Sequence, residues 1–356
     1  MRDVRSLLQN SSVNSATEVT YISYEQESYT VKQGRTFKTH RRLSHTTDMR
    51  NFLQTIFPAM MQKYILHSHL YKIQNKAVDD MLDHISPKLL PHVLVWAFDY
   101  SRNPELLFEK MVVEQVKDRP QITLGPLLSY HVKAGDGDKL ELEKTCTFYI
   151  SNDNQHKTHM SMSIFERQCE RQIEGFKNEI GSDEKMCLIV VSDGSPTELK
   201  NVELFNFWSK VSQKFDITVS LVYFAAAHGK FQYDPEGGLW KFLYRSECVR
   251  ALKEESTNLT KIAEWFNTYH VGPRSGESAI TKRETLVHGS VKQSNSVFKS
   301  VKGSSLNHNF LFTGVAGNLY MRKAFCFQCE NCKKFKFLLC TNDQIPAWTR
   351  ATIKRK

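Results

Sequence analysis

The sequence predicts an α/β protein with a mixed β-sheet flanked by helices. Three short runs, at 92–101, 184–196 and 216–230, are rich in Val, Ile and aromatic residues, which favours strands. Stretches with helical character lie between or before them, at 156–179 and 200–215. Strands that alternate with helices along the chain are typical of layered α/β folds.

The first ninety residues are predicted to lie outside this sheet. Residues 1–47 are polar and rich in Ser, Thr and Tyr, so we expect an irregular or loosely packed N-terminal arm. Residues 48–90 repeat apolar side chains at three- and four-residue steps, which predicts a helical segment. Pro58 lacks a backbone N–H and therefore marks a break or kink in that segment.

The central segment, 91–274, carries the remaining elements of the predicted core. Further strands are expected at 121–134 and 144–153, and a long helix is expected to start near Pro235. Another helix is predicted over 260–271. The order of these elements favours a mixed sheet over a purely parallel one.

The C-terminal quarter carries the basic excess of the chain. Residues 281–356 hold 14 Lys and Arg against 3 Asp and Glu, whereas the whole chain has a net charge of +10. This asymmetry favours a polyanionic partner, nucleic acid, over a merely solubilising segment. We predict a flexible Ser-, Lys- and Gly-rich linker at 275–305 and a basic cysteine-rich module at 306–356.

Composition argues against two classes of protein. No apolar run approaches the roughly 18 residues of a membrane span, so we expect no membrane partner. The N-terminus lacks the continuous apolar region of a secretory signal, so we expect an intracellular protein with reduced cysteines. The sequence leaves the oligomeric state open, a homodimer included.

Two predicted strands end in an acid that turn residues follow. Asp99 lies in "VWAFDYS" and Asp193 in "IVVSDGS", while Asp234 and Glu236 precede a predicted helix. Such acids commonly begin a turn or cap a helix. Three converging carboxylates, in contrast, repel one another unless a cation such as Mg²⁺ or Mn²⁺ binds their oxygens. Two such ions can activate a water or hydroxyl and stabilise the leaving oxygen of a phosphodiester.

Three motifs, in this order, resemble those of the RNase H-like DDE/D transposases. They are "FDYSRN" at 98–103, "VSDGS" at 191–195 and "HGKFQYDPEGGLWK" at 228–241. More narrowly, the chain resembles transposon-derived eukaryotic proteins that also carry a cysteine-rich tail. The resemblance covers residues 50–345.

This resemblance implies an RNase H-like sheet, a nuclear location and DNA as the partner. It also implies that Asp99, Asp193 and Asp234 form a catalytic triad that binds Mg²⁺ or Mn²⁺. His228 and Lys230 would lie beside the triad and bind DNA, with His228 contacting metal or phosphate. An ordinary hydrogen-bonded histidine and a solvated lysine remain the alternatives.

Four positions depart from the motifs of that family. Arg102 stands where the family has Glu, Phe231 and Pro235 stand where it has Gly, and Glu236 is an added acid. Since Pro235 suits a first helical position, Asp234 could be an N-cap and Glu236 the third ligand. The sequence therefore leaves three functions open: a transposase-derived enzyme that cleaves or joins DNA, a catalytically silent DNA- or chromatin-binding protein, and a structure-specific nuclease.

Four of the eight cysteines are clustered near the C-terminus with the spacing C-x₂-C-x₂-C-x₇-C. They are Cys326, Cys329, Cys332 and Cys340. Four thiolates can bind Zn²⁺ tetrahedrally, and unliganded buried thiols are the alternative. Lys333, Lys334 and Lys336 alternate with phenylalanines that could stack bases, which predicts DNA binding, but the same alternation is typical of a half-exposed strand.

Overall fold

The computed structural model describes most of the chain. The described residues are 18–30, 36–88, 92–101, 103–107, 120–134, 140–153, 156–180, 185–195, 198–224, 231–269, 280–289 and 297–356. The chain divides into two compact units, Met1–Leu70 and Tyr71–Lys356. None of the helices in these described ranges combines the length and the apolar character that crossing a membrane requires.

The first unit contains an antiparallel hairpin. Strand β1 spans Glu18–Thr30 and β2 spans Thr36–Asp48, in a register that sets Glu25 opposite Arg41. The irregular backbone that was one alternative for this arm is therefore wrong over these residues. Seven of the 13 residues of β1 are Val, Ile, Thr or Tyr. Their preference for extended backbone outweighs the polar composition on which the prediction rested.

A long helix follows the hairpin, as predicted. Met49–Asn51 is α-helical, Phe52–Ile56 forms a π-helical turn, and helix α1 then runs over Phe57–Lys88. The widened turn lies directly before Pro58, whose ring would collide with a backbone carbonyl in a regular helix. The helical segment continues through Pro58, so the predicted break is wrong, and the irregularity here is the π-helical turn.

A nine-stranded mixed sheet, counted over the described residues, organises the second unit. The order is β11-β10-β9-β7-β6-β3-β4-β5-β8. The strands are β3 Val93–Phe98, β4 Thr123–Ala134, β5 Leu140–Ser151, β6 Cys187–Ser192, β7 Thr218–Tyr223, β8 Lys282–Val287, β9 Asn309–Phe312, β10 Asn318–Arg322 and β11 Thr349–Thr352. β3, β6 and β7 run parallel, while β4 is antiparallel to both β3 and β5.

Helices flank this sheet on both faces, which confirms the predicted fold class. They are α2 Thr158–Ile180, α3 Val202–Lys214, α4 Tyr233–Leu243, α5 Leu259–Thr268 and the short α6 Glu330–Lys333. A π-helical turn, Tyr244–Cys248, and the short helix Val249–Leu252 prolong α4. We call the two faces of the sheet the α2 face and the α4 face.

The buried strand β3 divides its side chains between the two faces. Leu94, Trp96 and Phe98 belong to the apolar cluster of the α2 face, which α2 and α3 cover. Val93, Val95 and Ala97 belong to the cluster of the α4 face, with residues of α1, α4 and α5. Because the period of a strand is two, the residue that follows Phe98, Asp99, continues on the α4 face.

The predicted flexible linker at 275–305 is wrong where the structure describes it. β8 lies inside this range and pairs in parallel with β5. Its charged residues are satisfied by distant partners, since Arg171 lies 2.7 Å from Glu284 and Arg283 lies 2.8 Å from Glu236. The polar composition therefore belongs to a sheet edge and not to a linker.

The C-terminal segment is likewise part of the main sheet. β9 pairs antiparallel with β7, and β10 pairs with both β9 and β11. Phe310, Leu311 and Phe312 in β9 are almost completely buried. The prediction of a separate module over 306–356 is corrected accordingly, because strands of this segment extend the core sheet.

Candidate metal sites

The carboxyl ends of β3 and β6 bring Asp99 and Asp193 together. These neighbouring strands are parallel, with Ala97 paired to Val191. Two residues further along each strand, Asp99 and Asp193 therefore follow at the same level, on backbones about 5 Å apart. We call this end of the sheet, with Asp99, Asp193 and Asp234, the acid edge.

Backbone amides hold both of these aspartates. The Tyr100 N–H donates to Asp99 Oδ1 at 2.8 Å, and the Ser195 N–H donates to Asp193 Oδ1 at 3.0 Å. The turn after Asp193 requires glycine, because Gly194 has φ +76° and a Cβ there would lie 3.0 Å from Tyr223 Cβ. The motif "SDGS" is thus a tight turn that fixes an acid at the end of a buried strand.

Asp234 reaches this edge from the first turn of α4. Its side chain is exposed, and its carboxylate accepts from the Phe231 N–H at 3.1 Å. Gly237 allows α4 to approach the turn after β3, since a Cβ there would lie 2.8 Å from Ser101 Oγ. Lys241 Nζ donates to the same hydroxyl at 2.9 Å. The close packing of α4 on this turn explains the first glycine of the "GG" pair.

The three acids interact electrostatically. Burial first, and then the charges of Asp193 and Asp234, raise the pKa of Asp99 from 3.8 to about 8. Burial and the charge of Asp234 raise the pKa of Asp193. Burial and all three carboxylates raise the pKa of Tyr233, a buried residue of α4. The described residues of the acid edge are therefore carboxyl groups whose ionised forms disfavour one another.

The three aspartates lie at the same edge of the sheet, but their carboxylate oxygens are not all close enough to contact one ion. Among the described residues, the only group of three or more candidate ligands whose atoms all lie within 4.8 Å of one another is a group of four cysteines. A cation that binds Asp99, Asp193 and Asp234 together would therefore have to bring their side chains closer to one another. Carboxylates without a counter-ion repel one another, which favours this more open arrangement.

Glu236 does not fit the role of an alternative third ligand. It is buried, and Arg283 of β8 binds it in a bidentate ion pair, Nε to Oε2 at 2.8 Å and Nη2 to Oε1 at 3.0 Å. The guanidinium already neutralises this carboxylate. The pair ties the first turn of α4 to the edge strand, so Glu236 has a structural role and Asp234 is the better candidate.

Replacing Glu236 with Gln is expected to destabilise the protein by about 2–4 kcal/mol, because it leaves the Arg283 charge half-buried and unpaired. Thermal or urea unfolding measures the loss. Glu264→Gln breaks the exposed pair with Lys261 in α5 and serves as the control. We expect no measurable shift there, since exposed pairs contribute little. Equal stability of the Glu236 and Glu264 variants would contradict this role of Glu236.

The cysteine cluster forms a compact set of four potential ligands. The Sγ atoms of Cys326, Cys329, Cys332 and Cys340 all lie within 4.8 Å of one another. Cys329 precedes α6, Cys332 lies within it, and Cys340 follows the short 3₁₀ helix Phe337–Leu339. The four thiols are close enough to hold one metal ion, in agreement with the spacing of the sequence.

The surroundings of Cys326 favour its thiolate form. The Cys332 thiol donates a hydrogen bond to it, and the backbone N–H groups of Cys329 and Gln328 also lower its pKa, although burial opposes the change. Asn342 Nδ2 adds a contact at 3.5 Å from Cys326 Sγ. A thiolate held by backbone amides is the form in which cysteine binds metal.

The lysines beside this cluster do not lie on a strand. Lys333 ends α6, while Lys334 and Lys336 are exposed residues of the turn that follows. The alternative of a half-exposed strand is therefore wrong. Phe335 and Phe337 are buried, at 8% and 2% exposure, so these rings fill the core and cannot stack on bases. DNA binding by the three lysines stays a prediction.

A comparison with known families assigns the chain. A family described as a domain of unknown function, DUF8701, matches residues 79–314. The chain belongs to this family. Among curated proteins, no match is found. The DUF8701 domain includes the three aspartates of the acid edge and ends before the cysteine cluster, so the two candidate metal sites differ in their relation to the family.

Two residues of the DUF8701 domain join the acid edge without having been predicted. Burial and the charge of Asp193 raise the pKa of Glu198, which follows it in "SDGSPTE". His156 Nδ1 lies 3.9 Å from Glu198 Oε1, and its ring stacks on Tyr100 at 4.3 Å between centroids. An acid one turn after a strand-end Asp was a usable sequence signal for Glu198, whereas only the fold brings His156 to this edge.

Three side chains that the sequence analysis singled out have no described position. His228, Lys230 and Arg102 lie outside the described residues. The predictions that His228 and Lys230 bind DNA beside the triad therefore stay predictions.

Proposed function

We propose that this protein is a transposase-derived, nuclear DNA-binding protein that cleaves or joins DNA strands with Mg²⁺ or Mn²⁺ at the acid edge. One observation carries the proposal. Asp99 and Asp193 end adjacent parallel strands on the face where the charge of Asp234 reaches both. The motif resemblance gives these same three residues the catalytic role.

The residues of the acid edge fit a hard divalent cation. Their donors are carboxylate oxygens, the ligands that Mg²⁺ prefers. Burial and, after it, repulsion by Asp193 and Asp234 raise the pKa of Asp99, and a bound cation would offset that repulsion. A bound divalent ion would polarise the phosphodiester and activate the attacking water or hydroxyl. Asp99 and Asp193 would hold it on rigid strand ends, while α4 would supply Asp234 as the third ligand.

The cysteine cluster is proposed to bind Zn²⁺ in a structural role. Four sulfur donors saturate a tetrahedral ion and leave no open position for catalysis. Phe325, Phe327 and Phe337 belong to the same apolar cluster as the strands of the α4 face. A metal at the cysteines would therefore secure this segment of the chain against the core.

A catalytically silent DNA- or chromatin-binding protein is the second candidate. A specific feature favours it: Asp234 is exposed, and its carboxylate accepts a hydrogen bond from the N–H of Phe231, at a family glycine position. The N-cap of α4 is Gln232, so the N-cap role that the sequence allowed for Asp234 is wrong. Its carboxylate is instead held by the backbone that precedes the helix, and an acid held in this way does not have to bind metal. This candidate keeps the fold and the basic C-terminal segment but loses strand cleavage.

Nicking of supercoiled plasmid separates the two candidates. We expect the full chain to nick DNA with Mg²⁺ or Mn²⁺ but not with Ca²⁺, and Asp193→Asn to lose the activity by about 10³-fold, since several kcal/mol of charge stabilisation disappear. Asp234→Asn should lose activity to a similar extent, while Glu236→Gln should retain it if the fold survives.

Wild-type protein that binds plasmid but shows no metal-dependent nicking would favour the silent candidate. Nicking that persists in Asp193→Asn would mean that a contaminant or another site is responsible. DNA binding itself should weaken with salt, because neutralised phosphates release counterions. Truncation near residue 280 cannot test this, since it would remove β8 and β9 from the core sheet.

A further inference from the structure

A cavity lies at the opposite end of the sheet from the acid edge. It has a volume of about 680 Å³, and it is lined by the first residues of β6 and β7, Cys187 and Thr218, and by His92, which precedes β3. β6 has six residues. At about 3.3 Å per residue, the cavity and the acid edge are therefore about 20 Å apart.

The lining of the cavity is strongly basic. Its lysines come from two segments of the chain, and its histidines come from α1 and from the start of β3: Lys185, Lys333, Lys334, Lys336, His84 and His92. A single acid, Glu330, lines it as well. Two of the lysines are paired, Lys333 with Glu330 and Lys185 with Asp216, whereas Lys334 and Lys336 are exposed residues of one turn.

The mouth of the cavity also offers apolar surface. Leu338 and Leu339 line it with 41% and 61% of their surfaces exposed. Leu338 and Leu339 are consecutive, so they present one apolar patch beside the lysines of the lining. Together they suit a ligand that is anionic on one side and flat and apolar on the other, which is the chemistry of a nucleotide.

We infer that this cavity binds an unpaired nucleotide, with its phosphate on Lys334 and Lys336 and its base against Leu338 and Leu339. The volume lies within the range of small-ligand sites and is too small for duplex DNA. The inference rests on the proposed function in one respect, namely that these lysines bind nucleic acid. It adds a defined site and a single-stranded ligand, and it does not depend on catalysis.

The cavity and the acid edge would contact different phosphates of a nucleic acid. A phosphate held about 20 Å from Asp99 is not the one that is cleaved, so the cavity would anchor a neighbouring part of the same strand or bind a free nucleotide. Both sources share one chemistry, a phosphate linked to a base.

Fluorescence anisotropy with a labelled single-stranded oligonucleotide tests the site, in buffer without chelator so that the cysteine cluster is undisturbed. We expect Lys334→Glu/Lys336→Glu to weaken binding at least 10-fold. The slope of log affinity against log salt should fall by about 1.4, since each phosphate contact on a single strand contributes about 0.7. Lys210→Glu/Lys282→Glu changes the net charge equally at exposed positions elsewhere and should retain most of the affinity.

Competition then identifies the source of the ligand. Displacement by unlabelled oligonucleotide, and not by mononucleotide or duplex, would identify a strand, whereas displacement by a mononucleotide at similar concentration would identify a free nucleotide. Equal losses in both double variants would overturn the inference, as would inorganic polyphosphate that competes as well as any nucleotide. Binding is measured without added divalent ions and needs no cleavage, so failure of the proposed catalysis would leave this result intact.

Discussion

Replacing Cys332 with Ser is expected to abolish the proposed zinc binding and to unfold the cysteine-rich segment. Cys332 is completely buried and lies within 4.8 Å of the other three thiols. Structural zinc contributes on the order of 10 kcal/mol to folding in small metal-binding modules, so a lost ligand should have a large effect. Elemental analysis should find about one zinc per wild-type chain and well under half of that in the variant.

The Cys332→Ser substitution should also destabilise residues outside the metal site. Phe325, Phe327 and Phe337 belong to the apolar cluster of the α4 face, and Trp348 Nε1 donates to the Phe337 carbonyl at 2.8 Å. We therefore expect a lower Tm and new protease cleavage near residues 325–348. Removal of zinc by a chelator should lower the Tm of the wild-type protein and have little further effect on Cys332→Ser.

Cys169→Ser is the matched control. Cys169 is also a buried thiol, but it lies on α2, on the α2 face. Its replacement should cost some stability while leaving the zinc content at the wild-type value. A wild-type protein that carries well under one equivalent of zinc, yet resists proteolysis over the cysteine-rich segment, would show that the thiols pack without metal.

The elements that the sequence predicted well are those whose own residues decide their structure. β3 and β6 are continuous apolar runs that end in Asp99 and Asp193, and their burial on both faces follows from that pattern. The cysteine cluster was predictable for the same reason, because ligand spacing is a local property. Parallel pairing of the two strands then placed both acids at one edge.

The elements that sequence reasoning missed depend on partners far away in the chain. The residues of β8 have the composition of a linker. Their ion pairs, Arg283 with Glu236 and Glu284 with Arg171, join residues that are far apart in the sequence. Glu236 resembled a catalytic acid for the same reason, since nothing near it in the sequence indicates its partner. The phenylalanines near the cysteines resembled base-stacking groups, but the α4 face buries them. Long-range pairing and burial cannot be read from local composition.

Replacing Asp99 with Asn is expected to abolish metal-dependent cleavage and, in the absence of divalent ions, to stabilise the protein at alkaline pH. The folded protein holds the Asp99 proton tightly, because burial and the charges of Asp193, Asp234 and Glu198 raise its pKa from 3.8 to about 8. Asn mimics the neutral form at every pH. It should lower cleavage by about 10³-fold, since a metal ligand is lost.

The sign of the pH dependence follows from that raised pKa. Stability contributed by the Asp99 proton is fully present below the unfolded pKa of about 4 and is lost as the pH rises through about 8. The difference in Tm between Asp99→Asn and wild type should therefore be near zero at pH 4 and grow to several degrees by pH 8–9, because the wild type loses stability over this range and the variant does not. The Tm of the wild type should increase on addition of Mg²⁺, and the increase should become larger as the pH rises, while the Tm of the variant should not change.

The control is Asp343→Asn, at an exposed acid, whose Tm should follow that of the wild type at every pH. An Asp99→Asn variant that is less stable than wild type at pH 8 without metal would mean that the fold stabilises the ionised Asp99 carboxylate. That result would contradict the proposal that the acid edge binds a cation.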